Sequence, residues 1–248
     1  MSKFQRYEHK ILKYRDKLKK FVTRVGIYSQ DDFKLIADKP RELILPCHLG
    51  ILFCGGFDES LIERIMACLN EVYDSFFYDI QDLGQYNFSK DLFYKGVKKE
   101  YKEMKKKKGK IGIHPTNKFY QVLIDKRNEQ NLDIIIGLTD LPIYSSNDNT
   151  ILFLFGEAHL EHRCCVISSL KLKEQFYNRD SNLGLFQNRV LKEIVHEVAH
   201  LILGPEHCNK IHCVMRSSKF IEEIDDKSLN FCKDCKTKIR RIKEQSNF

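Results

Sequence analysis

The chain has 248 residues, 42 % of them apolar and 11 % aromatic, enough to build a core and too many for a generally disordered chain. Its formal net charge of +8 is concentrated in residues 95–110, KGVKKEYKEMKKKKGK, where nine lysines stand against two glutamates, so the charge describes one tract and not a basic surface. No apolar run approaches the roughly 18–20 residues of a membrane span, and the first twenty residues lack the apolar stretch of a secretory signal. A membrane or secreted protein is therefore not expected.

Residues 1–42 read as a basic N-terminal extension. A short apolar strand follows at 49–54, ended by the Gly55–Gly56 turn. From Asp58 to Ile80, apolar residues recur at helical spacing, and Ser60 with Glu63 resembles a capping box at the start. The lysine tract at 95–110 interrupts as a solvated insertion, and a second helix is predicted over 116–128. Three strand-like runs come next, LDIIIGLT (132–139), TILFLFGEA (150–158) and RCCVISSL (163–170), with SSNDN (145–149) as a turn. The last clear helix spans 186–203, with Val190, Leu191, Ile194, Val195, Val198, Leu201 and Ile202 on its apolar side. Strand, helix, helix, then three strands predicts an α+β fold, a twisted mixed sheet with packed helices.

The last helix carries chemistry. His196 and His200 lie four residues apart, one turn along the same face, where two imidazoles can bind one zinc at about 2.0–2.1 Å. Glu197, about 100° around the helix from His196, is placed to act as general base on a zinc-activated water. A helix face with two histidines and a glutamate can also arise by chance, but Gly204–Pro205 must end the helix and turn the chain back. That reversal offers His207 as third ligand. The zinc protease spacing puts the third histidine ten residues after the first, whereas His207 is at eleven and Glu206 occupies the tenth place. His207 is the preferred reading, Glu206 the rival, His212 a weaker one, and a damaged site the remaining outcome.

Of the nine cysteines, Cys208, Cys213, Cys232 and Cys235 have the spacing of a tetrahedral thiolate zinc site. Cys47, Cys54, Cys68, Cys164 and Cys165 sit in apolar surroundings, as buried reduced thiols do. The missing signal and the odd count point to a reducing compartment, cytoplasmic or also nuclear.

The run from Gly204 to Cys235 resembles the archaemetzincin family of metzincin-type metallopeptidases, in which an H-E-x-x-H helix is followed by glycine, histidine, cysteine, cysteine, methionine and a C-x-x-C pair. Gly204, His207, Cys208, Cys213, Met215, Cys232 and Cys235 fall in that order. IIGLTDLPIY (135–144), FLFGEA (153–158) and CCVISSLKLKE (164–174) also look like family segments. There are two departures. Three residues instead of two separate His200 from Gly204, and the methionine-to-C-x-x-C spacing is one residue short. The extra residue belongs to the helix's last turn, where it shifts the reversal unless a π-bulge absorbs it.

The resemblance implies a metzincin-like catalytic domain over 43–240 with an irregular, zinc-stapled C-terminal part at 204–240. It also implies two zincs, one catalytic and one structural, with Met215 in a turn beneath the catalytic one. TILFLFGEA would then be an edge strand along which an extended peptide or protein substrate adds. The expected function is zinc-dependent peptide hydrolysis, with endopeptidase and aminopeptidase action both open. The competing reading is a catalytically impaired protease scaffold that binds an acidic or nucleic-acid partner through the lysine tract.

Overall fold

The computed structural model describes residues 43, 45–87, 114–145 and 154–246; the N-terminal extension, the lysine tract and most of the SSNDN turn lie outside them. Strand β1 (Cys47–Cys54) sends Ile51 and Phe53 to one face and Leu52 and Cys54 to the other, and all four are buried. Burial on both faces is the mark of a central strand in a mainly parallel sheet. Helix α1 (Glu59–Tyr73) follows, then β2 (Phe77–Gln85), the short β3 (His114–Pro115), α2 (Thr116–Glu129), β4 (Ile134–Thr139) and the short β5 (Ile143–Tyr144). Next come β6 (Gly156–His159), β7 (Cys164–Ser168) and two 3-10 turns (Leu170–Leu172 and Glu174–Tyr177). Helices α3 (Leu183–Leu203), α4 (Ile221–Asp226) and α5 (Lys233–Gln245) complete the chain.

The main sheet has the order β2-β1-β4-β7-β6, parallel except for β6, which is antiparallel at one edge. Helices α1 and α3 pack on one face, against Ile51, Phe53, Ile136, Leu138, Cys165 and Ile167. Helix α2 covers the other, with Phe119, Tyr120, Leu123 and Ile124 against Leu52, Cys54, Ile135 and Val166. The Tyr73 hydroxyl donates to Val195 O at 2.6 Å and ties α1 to α3.

The helix predicted from Asp58 to Ile80 stops at Tyr73, because Asp74 and Ser75 take positive φ and reverse the chain. The apolar pattern continues through the break: Phe76 and Phe77 join Tyr73 in an aromatic cluster, but from turn and strand. At the other end Asp58 is the cap, accepting from Ser60 N–H at 2.9 Å, in place of the Ser60–Glu63 box. The run 150–158 yields a strand only at Gly156–His159, residues 150–153 being outside the described set. The C-terminal part is less irregular than expected, since α4 and α5 lie within it. Helix α5 was hidden by its composition: a lysine-rich segment with Cys235 and Ile239 as its buried residues carries little apolar signal.

Candidate metal centre

Helix α3 starts at the Asn182 cap, which accepts from Leu185 N–H at 3.0 Å, and is buried on all sides through its last three turns. Glu193, His196, Glu197 and His200 form a polar stripe that the sequence suggests is open to a cleft; in the fold each is at most 1 % exposed. The cover comes from strand β6 over Glu197 and from the chain after the helix. Arg189 makes a two-pronged ion pair with Asp225 at 2.6–2.7 Å, and Lys192 donates to the carbonyls of Ile224 and Asp225 at 2.9 Å.

The extra residue before Gly204 is absorbed without a bulge. Gly204 N–H donates to His200 O at 2.9 Å, a regular helical bond, and Gly204 then takes φ +94, where glycine carries no side-chain penalty. The chain reverses there, and His207 returns to the helix. His200 Nε2 lies 3.2 Å from His196 Nε2 and 3.3 Å from His207 Nε2. Tetrahedral bonds of 2.0–2.1 Å to one shared ion set such nitrogens about 3.3 Å apart. The three imidazoles are therefore spaced for a single zinc-sized cation.

The opposite ring nitrogens fix the tautomers. His196 Nδ1 faces Val214 O at 2.8 Å and His200 Nδ1 faces Gly204 O at 2.9 Å, so each donates its N–H to a carbonyl and leaves Nε2 with its lone pair free for an ion. Burial, with the nearby Lys227 charge, holds His196 well below the usual imidazole range, and burial brings His200 down to about 4. Both are neutral, the form that ligates. Glu206, the rival third ligand, points away: its carboxylate is 83 % exposed and faces Lys238 at 3.9 Å. His212 is occupied elsewhere, with Nδ1 2.9 Å from Asp226 O.

The four C-terminal cysteines gather as a second group. Cys208 and Cys232 have Sγ atoms 3.7 Å apart, and Cys213 and Cys235 3.8 Å apart. Zn–S bonds of 2.3 Å in a tetrahedron give about 3.8 Å, whereas a disulfide would bring the sulfurs to about 2.05 Å. Backbone N–H groups of Lys210 and Cys232 point at the Cys208 and Cys213 sulfurs, at 3.5 and 3.3 Å. At Cys232, burial, which raises the thiol, is outweighed by hydrogen bonds from the Cys235 backbone and the neighbouring cysteines, and it settles at about 7. The contrast with Cys47, Cys54 and Cys68 is clear, since burial pushes each of those thiols up to about 12. Met215, between Cys213 and Cys232 in sequence, is buried, and its carbonyl accepts from Cys208 N–H at 2.9 Å.

Glu197 is fully buried against β6. A Cβ at Gly156 would lie 2.7 Å from Glu197 Oε1 and 2.9 Å from its carboxyl carbon, so only glycine lets strand and helix approach this closely. Burial, then the like charges of Glu193 and Glu157, hold the Glu197 carboxyl well above the usual carboxylate range. Sequence reasoning assigned no role to Gly156, Glu157, Glu193 or Lys227. The only visible signal was a Gly-Glu pair inside an apolar strand, where a buried carboxylate is out of place.

Glu157 turns to the other sheet face, where Ser145 Oγ donates to it at 2.5 Å and the Tyr120 hydroxyl at 2.9 Å. Burial nevertheless raises its carboxyl to about 7, from an ordinary 4.5. The folded state therefore binds this proton more tightly than the unfolded chain, and stability present below the unfolded value is lost as pH rises through about 7. We expect the urea midpoint to fall between pH 5 and 8, and Glu157→Gln to flatten that slope; an unchanged slope in the variant would assign the pH dependence elsewhere.

An H-E-x-x-H helix against an edge strand, a third histidine brought back by a glycine reversal, and a cysteine group beside them define a scaffold built around metal binding. Residues 51–241 match the family model of peptidase family M54. The chain belongs to that family. An archaemetzincin of Saccharolobus solfataricus is 42 % identical over 112 residues, 45 % of this chain and 58 % of that protein, so the match spans less than two thirds of the relative's length. The structure is similar to the archaemetzincin of Methanopyrus kandleri, with a TM-score of 0.58 and 24 % identity over 80 % of this chain and 96 % of that one. It is also similar to a zinc-dependent peptidase of Methanocorpusculum labreanum, with a TM-score of 0.61 and 18 % identity over 77 % and 99 % of the two chains. At these identities the likeness is one of fold. Among the described residues no helix is long and apolar enough to cross a membrane.

Proposed function

We propose that this chain is a zinc-dependent metallopeptidase, with His196, His200 and His207 holding the catalytic zinc and Glu197 handling the proton. The observation that carries the reading is the spacing of the three Nε2 atoms, 3.2 and 3.3 Å, with a buried carboxylate on the next residue of the same helix. Zinc at that position supplies Lewis acidity, polarising the scissile carbonyl and lowering the pKa of water toward about 7. Glu197 takes the proton that the attacking water releases and returns it to the leaving nitrogen. Val214 O and Gly204 O keep two imidazoles aimed. The substrate is a peptide or protein, laid in extended form along the β6 edge above Glu197. A second zinc on Cys208, Cys213, Cys232 and Cys235 is structural, giving two per chain. By this reading residues 43–240 are the catalytic unit, with 1–42 an extension and 95–110 an insertion. A binding module has no use for a buried glutamate beside three converging imidazoles, which is why hydrolysis is preferred.

Zinc per purified chain, measured by elemental analysis alongside cleavage of a peptide library, tests the proposal. Two zincs and cleavage that a chelator abolishes are expected. One zinc and no cleavage would overturn the enzymatic reading.

A further inference from the structure

We propose that Lys227 is a positioning residue of the hydrolytic site, its buried ammonium supplying the positive charge against which the Glu197 carboxylate is held. The inference rests on the metallopeptidase reading and adds a residue to it. Lys227 follows the last turn of α4, and its side chain, 0 % exposed, reaches α3, where Nζ lies 3.5 Å from Oε1 of the 1 % exposed Glu193. That separation is too long for a good hydrogen bond, and Nζ has no hydrogen-bond partner among the described residues. A full charge kept out of water with one loose contact is costly unless further negative charge is close.

That charge is Glu197. It stands four residues after Glu193, so the two side chains share a face with Cβ atoms roughly 5–6 Å apart. Neither carboxylate oxygen of Glu197 has a hydrogen-bond partner among the described residues. The other cations near this part of α3 are committed. Arg189 pairs with Glu174 and Asp225, Lys192 donates to the α4 carbonyls, and the Lys171 ammonium sits over the Phe155 ring at 4.2 Å and is drawn to Glu193. The Lys227 charge acts on Glu197 and on His196, in agreement with this placement. Glu157 and Glu193 both repel Glu197. A proton carrier set among like charges needs an opposing one to stay in place through a catalytic cycle.

The test uses the full-length, zinc-loaded chain in three forms: Lys227→Met, Lys227→Arg, and Glu193→Gln with Lys227→Met. The single Met variant leaves the buried Glu193 with the Lys171 charge alone opposite it and is expected to melt early. The double variant removes both charges and should recover the wild-type melting temperature and zinc content. We expect the double variant to lose about tenfold or more in kcat with KM within about twofold, and Lys227→Arg to keep more of kcat than Lys227→Met. A double variant with wild-type kcat would show that Lys227 serves only the burial of Glu193. A rise in KM at constant kcat would make Lys227 a substrate-binding residue, and a double variant that fails to fold or load zinc would make it purely structural. Either result overturns the proposal while leaving the peptidase reading intact. A wild-type chain that loads zinc yet cleaves nothing would overturn both.

Discussion

Replacing Glu197 by glutamine is expected to lower peptide cleavage by about 10³-fold while leaving zinc content unchanged, since a positioned general base is typically worth 10²–10⁴. The substitution is nearly isosteric, which matters because the side chain fills the gap under Gly156, where a Cβ would come within 2.7 Å of it. Glutamine keeps that packing and removes only the ability to take up and release a proton. Stability should hold or rise, because a neutral amide replaces a carboxyl that burial and the Glu193 and Glu157 charges already oppose in its ionised form. Single-turnover cleavage of a peptide identified with the wild-type chain, with elemental analysis on the same sample, checks this. A variant retaining a tenth or more of the activity would mean that another group handles the proton.

The second large effect is expected at Cys213. Cys213→Ser removes one of four sulfurs from a group that α3 and the sheet do not stabilise by themselves. The region is held to the core by a handful of apolar residues, Val214, Ile221, Ile224, Phe231 and Ile239. On the proposed reading of two zincs per chain, metal affinity at such a site is folding energy, so zinc should fall to one or fewer and the melting temperature should drop on the order of 10 °C. Cys68→Ala is the control. Cys68 is also buried, but its thiol is pushed up to about 12 and it belongs to neither metal group, so zinc content should not change. Equal zinc content in the two variants would show that the cysteine group holds no ion. Calorimetry and elemental analysis read both outcomes.

What the sequence revealed and concealed follows from which interactions are local. The H-E-x-x-H stripe, the glycine reversal and the cysteine spacings are short-range patterns, and their residues converge in the fold. Choosing between His207 and Glu206 was harder, because the answer depends on where a helix ends. The regular bond from Gly204 N–H to His200 O sets the direction in which the chain leaves, and it is His207, not Glu206, that comes to lie beside His200. Helix α1 was overextended because Phe76 and Phe77 satisfy helix and strand periods alike, while the positive φ of Asp74 and Ser75 leaves no signature in apolar spacing. The contacts around Glu197 were invisible for a different reason. Gly156 of β6 faces Glu197 across a gap of about forty residues of chain, and Lys227 reaches the same helix at Glu193 from beyond α4; a single sequence says nothing about which distant glycine faces which glutamate.

The hydrogen bond from Cys208 N–H to Met215 O turns residues 208–215 into a closed loop. His207 hangs on one side of that closure, and Val214, whose carbonyl aims His196, lies just inside the other. Cys208 and Cys213 both lie on this loop, which joins the cysteine group to the histidine triad. The cysteine group and the histidine triad thus share one piece of backbone, and neither can be rearranged without moving the other's anchor.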